Sequence, residues 1–292
     1  MPPEPAISNH WASVRDHARV FGELIYVYPV ISRRSAGLSI GVNLNPDKRC
    51  NFDCIYCEVD RKLPGRATHV DPIQLREELM WLLQYARTGG LLEDPKFRDV
   101  PREIVTTIRD IAFSGDGEPT MIPNFAECVA IAADVKRNEG LDQTKLVLIT
   151  DAAGLDKVDV RCGLEIMDTN QGEIWAKLDA GTEAYFKQVN RSFVRFDRIL
   201  RNLLQTAQVR PIIIQSLFLK VHGSPMPDAE LIAYCQRLNE ILTGGGRIRE
   251  VHAYTVARPT PETWATRLEP QELQAIAAHI QSETGLKTRA FP

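Results

Sequence analysis

The chain has 292 residues, 44% of them hydrophobic, and 35 Lys and Arg against 38 Asp and Glu, for a formal net charge of −3. This is globular composition, which excludes a disordered, collagen-like or mucin-like polymer. No apolar run reaches the ~18 residues of a membrane-spanning helix. The opening stretch MPPEPAISNHWASVRDHARV lacks the apolar core of a secretory signal, so the cytoplasm is the expected location, with no membrane partner.

In chain order, residues 11–30 mix a helix with a short apolar run. GLSIGVNL then reads as a strand that breaks at Asn45-Pro46. Leu75, Leu79, Leu82 and Leu83 recur at helical spacing after Asp71-Pro72, a cap and first-turn proline. A loop over residues 88–102 leads to the strand IRDIAFSG. The alternation continues with a helix over 124–136, the strand KLVLIT and a partly helical segment over 155–167. EIWAKLD is the next strand, followed by one or two helices over 182–206 and the strand RPIIIQSLF. A helix over 228–242, the strand VHAYTV and a helix over 270–284 complete the pattern.

Six strands separated by helix-length segments predict an α/β fold with a parallel sheet. Polar residues collect just after the strands, which favours a partial (β/α)6 TIM-like barrel over an open doubly wound sheet. The expected division is an N-terminal helical or edge extension (1–37), the partial barrel (38–260) and a C-terminal helical extension (261–292).

Three of the six cysteines fall within eight residues, CNFDCIYC, as C-x3-C-x2-C: Cys50, Cys54 and Cys57. Cys128, Cys162 and Cys235 stand alone in partly apolar surroundings and read as buried small hydrophobes. Three thiolates on a short loop can hold three irons of a cubane and leave the fourth iron open. Ferredoxin-type electron carriers and structural zinc sites use four protein ligands. His69 is the nearest candidate for a fourth zinc ligand. The histidines (His10, His17, His69, His222, His252, His279) form no close metal motif. A second motif, SGDGEPT at 114–120, combines Gly115 and Gly117 with Asp116 and Glu118. The glycines allow a ligand to approach the backbone or allow positive φ. The carboxylates can accept from a cation. A plain tight turn is the alternative.

Together these motifs make the chain similar to the radical S-adenosylmethionine (SAM) enzymes, whose C-x3-C-x-aromatic-C loop follows the first barrel strand. The resemblance implies a [4Fe–4S] cluster on Cys50, Cys54 and Cys57, with SAM chelating the open iron. One electron then cleaves SAM to methionine and a 5′-deoxyadenosyl radical, which abstracts hydrogen from a substrate. It places Tyr56 near the adenine and Gly115, Asp116, Gly117 and Glu118 at the SAM amino group. The layout of SIGVNLNPDKRCNFDCIYCEVDR, KLVLITDA, WAKLDAG, YFKQVNR and PIIIQSLF over residues 26–260 resembles the wyosine-synthase-like branch. That branch implies a tRNA nucleoside as substrate and pyruvate as cosubstrate. This chain has no cysteine before Cys50 and carries Asp151 after Thr150 where the branch usually has Asn. The pair Thr150 and Asp151 is the expected ribose or substrate contact. No fused flavodoxin-like domain is present, which implies an external one-electron donor such as flavodoxin or ferredoxin.

Lys177 and Asp179 lie two apart, so on a strand both face one side. Lys177 is a candidate for a Schiff base with a carbonyl substrate; a supporting Lys–Asp pair is the alternative. Gln215 is expected to hydrogen-bond substrate and Arg258 to meet an anion. Arg33, Arg34, Lys48, Arg49, Arg61, Lys62 and Arg66 form a local basic patch compatible with RNA. A tRNA nucleoside, a small metabolite and a peptide all stay open as substrates. So does a non-catalytic iron–sulfur interaction or electron-transfer protein.

Overall fold

β-Rich apolar runs alternate with amphipathic helices along most of the chain, and a computed structural model shows where each settles. It describes residues 7, 11–15, 19–67, 69–258 and 260–292. His10, His17 and Pro259 lie outside the described residues. The chain forms two units. The first takes the described residues of Met1–Arg49, Leu63–Leu148 and Val158–Glu173; the second takes Cys50–Lys62, Ile149–Lys157 and Ile174–Pro292.

The first unit opens with α1 (Ala12–Arg15), then β1 (Val27–Ser32) and β2 (Gly37–Val42), an antiparallel pair running from Val27↔Val42 to Ser32↔Gly37. The apolar run read over 11–30 therefore ends as an edge strand. α2 (Pro72–Thr88) follows, capped by Asp71, whose carboxylate accepts from the Ile73 and Gln74 amides; it stops at Gly89, φ 88°. α3 (Arg102–Thr106) leads into β3 (Ile108–Phe113), which lies parallel to β2. α4 (Phe125–Asn138) leads into β4 (Lys145–Thr150), parallel to β3, and α5 (Val158–Asp168) follows. Leu38, Ile40, Val42, Ile111, Phe113, Leu146 and Leu148 are buried on one side of this sheet. Each such side chain contributes roughly 1.5–3 kcal/mol on burial. The other side carries Ser39, Gly41 and Asp110. Here Ser39 hydrogen-bonds Asp110, and burial pushes the Asp110 carboxyl up. A Cβ on Gly41 would lie 2.2 Å from the Tyr28 ring, so the glycine lets that ring lie flat on the strand.

The second unit contains most of β5 (Gly172–Lys177), then α6 (Glu183–Asn190), α7 (Phe196–Val209), β6 (Ile212–Leu217), β7 (Lys220–Val221) and α8 (Asp228–Thr243). β8 (Ile248–Tyr254), β9 (Ala265–Thr266), α9 (Pro270–Thr284) and β10 (Thr288–Phe291) complete it. β5, β6, β8 and β10 run parallel in that order, and β7 and β9 form a short antiparallel ribbon. β2, β3 and β4 in the first unit and β5, β6 and β8 in the second are the six strands the alternation predicted. The C-terminal segment adds β10 to its helix, a strand too short and polar to stand out in the sequence. Ile174, Ala176, Ile212, Ile214, Val251 and Ala253 form the apolar side. Register places Lys177 beside Gln215 and Gln215 beside His252, so these three share the opposite side. Among the described residues no helix is long and apolar enough to cross a membrane.

Candidate functional site

In the second unit, the cysteine loop is pinned to the end of α6 by its backbone. The Asp53 amide donates to the Asn190 carbonyl at 3.0 Å and the Ile55 amide to the Val189 carbonyl at 2.9 Å. A turn closes with the Cys57 amide on the Cys54 carbonyl, 2.9 Å. Asp53 faces Arg61 at 3.1 Å and Arg191 at 3.9 Å, and Arg191 also holds Glu262 at 2.6 Å. These ties order a loop that has no regular secondary structure of its own.

Each sulfur of the loop accepts an N–H: Cys50 from the Phe52 amide at 3.4 Å, Cys54 from Asn190 Nδ2 at 3.4 Å and Cys57 from Arg61 at 3.5 Å. None of the three is in a disulfide. Burial pushes the Cys54 thiol up to about 11, against the opposing effect of the Lys177 charge, so ligation by this sulfur must release a proton. Among the described residues no three His, Cys, Asp or Glu side chains converge on one ion position. A cubane takes each thiolate on a different iron. Three cysteines outside any disulfide, each with an N–H donor aimed at its sulfur, are a donor set that suits a cubane. Of the lone cysteines, Cys128 and Cys235 are buried as expected, but Cys162 is exposed, because it sits on the outward side of α5.

Tyr56 is buried, and its hydroxyl donates to Asp179. Burial and then the Asp179 charge raise its pKa well above the ordinary phenol value. Asp179 also accepts from Asn190 Nδ2 at 2.8 Å and from the Leu217 amide at 2.9 Å. Lys177 lies over the Tyr56 ring, 5.4 Å from its centroid. Among the described residues no ion pair joins Lys177 to Asp179; the carboxylate is taken up by Tyr56, Asn190 and Leu217. Burial disfavours the Lys177 charge, but the Tyr254, Cys54 and Asp179 oxygens and sulfur outweigh it and raise its pKa.

Gln215 is fully buried beside Lys177 in register, and neither atom of its carboxamide has a hydrogen-bond partner among the described residues. Such a group is costly unless a ligand completes it. Arg258 meets an anion of the chain itself, Glu58, at 2.6 and 2.7 Å, one residue past Cys57. Thr150 and Asp151 accept from the Ala152 amide at 3.1 Å and the Ala153 amide at 2.9 Å, which shapes the turn after β4.

The SGDGEPT segment belongs to the first unit. Neither Gly115 nor Gly117 has positive φ. Their lack of a side chain serves close approach to the chain itself. A Cβ on Gly115 would lie 2.3 Å from Asn43 Oδ1, and one on Gly117 would lie 1.9 Å from the Arg49 carbonyl oxygen. That same carbonyl accepts from the Glu118 amide at 3.0 Å. Asn43 clamps Asp116 twice, through the Asp116 amide at 3.1 Å and the carboxylate at 2.8 Å, and Arg19 adds a contact at 3.3 Å. The Glu118 carboxylate is buried and accepts from the Thr120 amide at 3.1 Å and hydroxyl at 2.6 Å.

Sequence reasoning did not single out Asn43 or Asn190. Asn190 lies in the quoted stretch YFKQVNR, but its partner Cys54 lies 136 residues earlier and Asp179 in the β5–α6 connection. In the basic patch, Arg61 is engaged with Asp53 and Cys57, and Arg66 donates to the Leu24 carbonyl at 2.5 Å.

No family model matches the chain. A UPF0026 protein of Helicobacter pylori is 25% identical over 237 residues, which cover 80% of this chain and 66% of that protein. A UPF0026 protein of Methanocaldococcus jannaschii is 26% identical over 178 residues, 60% of this chain and 47% of that protein. The match thus spans less than two thirds of the length of either relative. Among solved structures, TYW1 with a lysine–pyruvate adduct bound superposes with a TM-score of 0.53 at 16% identity, covering 85% of this chain and 74% of that one. The likeness is one of fold: the chain is an α/β protein of the partial TIM-like barrel class, TYW1-like in architecture, as the resemblance read from its motifs implies.

Proposed function

We propose that the protein is a radical SAM enzyme of the cytoplasm that modifies a tRNA nucleoside. The observation that carries this reading is the C-x3-C-x2-C loop, whose three cysteines lie outside any disulfide and each face an N–H donor, on a TYW1-like fold. Cys50, Cys54 and Cys57 would hold a [4Fe–4S] cluster. When bound with SAM, it supplies one-electron cleavage and a carbon radical able to abstract hydrogen. Asp179 and Asn190 fix Tyr56 beside Cys54. By the resemblance, Glu118 would accept from the SAM amino group, and Thr150 and Asp151 would contact its ribose or the substrate. The reading is tested by supplying the reduced, reconstituted protein with SAM and deuterium-labelled tRNA. Deuterium is expected in 5′-deoxyadenosine. Transfer only from a labelled metabolite or peptide fraction would remove tRNA as the substrate. Failure of the fully clustered, reduced protein to cleave SAM would leave a non-catalytic iron–sulfur protein.

Lys177 is the candidate for covalent contact with a 2-oxo acid, the group that the adduct in the TYW1 structure brings to mind. The amine attacks the ketone and loses water to form an imine. Gln215, buried with both polar atoms unpartnered, would hydrogen-bond the carboxylate or carbonyl of that ligand. Because neighbouring groups hold Lys177 protonated, its nucleophilic form grows as pH rises. Borohydride added with pyruvate is expected to leave a carboxyethyl group on Lys177, in rising yield toward alkaline pH. Peptide mass spectrometry showing adducts only on other lysines would withdraw the role.

A further inference from the structure

We infer that the groove beside Cys50 is the docking surface for a small acidic one-electron carrier protein. This inference rests on the radical SAM reading. The groove encloses about 690 Å³ and is lined by Cys50, Asn51, Phe193, Arg195, Arg198 and Arg201. All of these belong to the second unit: the cysteine loop, the α6–α7 connection and the first turns of α7.

Three features define its occupant. Phe193 is fully exposed, an apolar side chain held in water with nothing of the described chain covering it. Three arginines line the same groove. Asp197 takes Arg195 at 2.6 Å and Asp156 takes Arg198 at 3.0 Å, while Arg201 makes no ion pair among the described residues. The local surplus is positive on a chain whose net charge is negative. An aromatic anchor and arginines in one groove are the composition of an interface centre, and the surplus charge selects an acidic partner.

The third feature is Cys50 itself. A partner seated in the groove lies against Cys50, the residue whose sulfur is assigned to the cluster. A reductant needs that proximity. The substrate does not, because in this reading it would give its hydrogen to the radical formed from SAM and would not exchange electrons with the cluster directly. The transfer is simple: the carrier loses one electron, the cluster gains it, and no bond to the protein forms or breaks. Redox encounters of this kind use small, charge-dominated contacts. An RNA backbone would also favour the arginines, and the test separates the two.

The experiment measures binding of oxidised flavodoxin to the full chain, with and without its cluster, at low and high salt. It compares wild type with the double variant Phe193→Ser, Arg201→Glu. Both side chains are exposed, so folding is unaffected, and circular dichroism verifies this. The variant is expected to bind at least ~10-fold more weakly at low salt, with a flatter salt dependence. Stopped-flow reduction of the cluster by reduced flavodoxin should slow by a similar factor, while reduction by dithionite stays unchanged. Unchanged flavodoxin affinity and reduction rate in the variant would overturn the docking site alone. So would loss of tRNA binding with flavodoxin binding intact, which assigns the groove to RNA. A wild-type chain that takes up no cluster, or whose cluster dithionite cannot reduce, would overturn the radical SAM reading and the docking site with it.

Discussion

Replacement of Cys50, Cys54 or Cys57 by Ala is expected to reduce 5′-deoxyadenosine formation from SAM to background, with iron content falling well below that of wild type. Each thiolate would hold a different iron, and no other cysteine lies near in sequence to substitute for a lost one. Cys54→Ala should be the most damaging, because this sulfur is buried and accepts the Asn190 amide, which then loses one of its contacts. Alanine at Cys128, Cys162 or Cys235 should leave both readouts largely intact. Cys128 and Cys235 are buried core positions and Cys162 lies on a surface helix, and none of them belongs to the C-x3-C-x2-C loop. The comparison is made on anaerobically reconstituted proteins by iron assay and product chromatography. Full SAM cleavage by any of the three loop variants would remove the cluster assignment.

The second large effect is on stability. Asp179→Ala removes the shared acceptor of Tyr56, Asn190 and the Leu217 amide at a buried position. Each orphaned donor costs ~1–3 kcal/mol, so a loss of about 3 kcal/mol or more is expected in urea unfolding. Asp179→Asn should recover only part of it, since the amide supplies one acceptor oxygen and brings two donors into a site already rich in them. A loss under ~0.5 kcal/mol, the scale of a surface change, would show that the network is not built around this carboxylate. Because Tyr56 and Asn190 flank Cys54, the alanine variant should also load iron poorly.

Local signals in the sequence were reliable where chemistry or periodicity is local. C-x3-C-x2-C lies in eight residues, and the leucines of α2 repeat at helical spacing. Asp71-Pro72 and Gly89 mark the ends of that helix by conformations other residues adopt less well. β1 was harder to read because Pro29 interrupts VYPVIS, and its pairing with β2 is a tertiary event. α3 has only five residues and β10 only four. Within the site, residue types were legible but partners were not. Arg258 is legible as a candidate for an anionic ligand, but its partner within the chain, Glu58, lies 200 residues earlier and is not. In the sequence, the glycines of SGDGEPT suggest room for a ligand. They are first of all room for Asn43 and for the Arg49 carbonyl, which no spacing rule reveals.

That carbonyl has an evolutionary and practical corollary. It belongs to the residue immediately before Cys50, it accepts the Glu118 amide, and Gly117 exists in that form because nothing larger fits against it. The peptide entering the metal-binding loop and the corner after β3 are therefore one mechanical part encoded in two places, and they can drift only in step. Grafting either segment alone from a distant relative should yield poorly folded chimeras. Grafting 43–57 and 114–120 together should restore soluble protein.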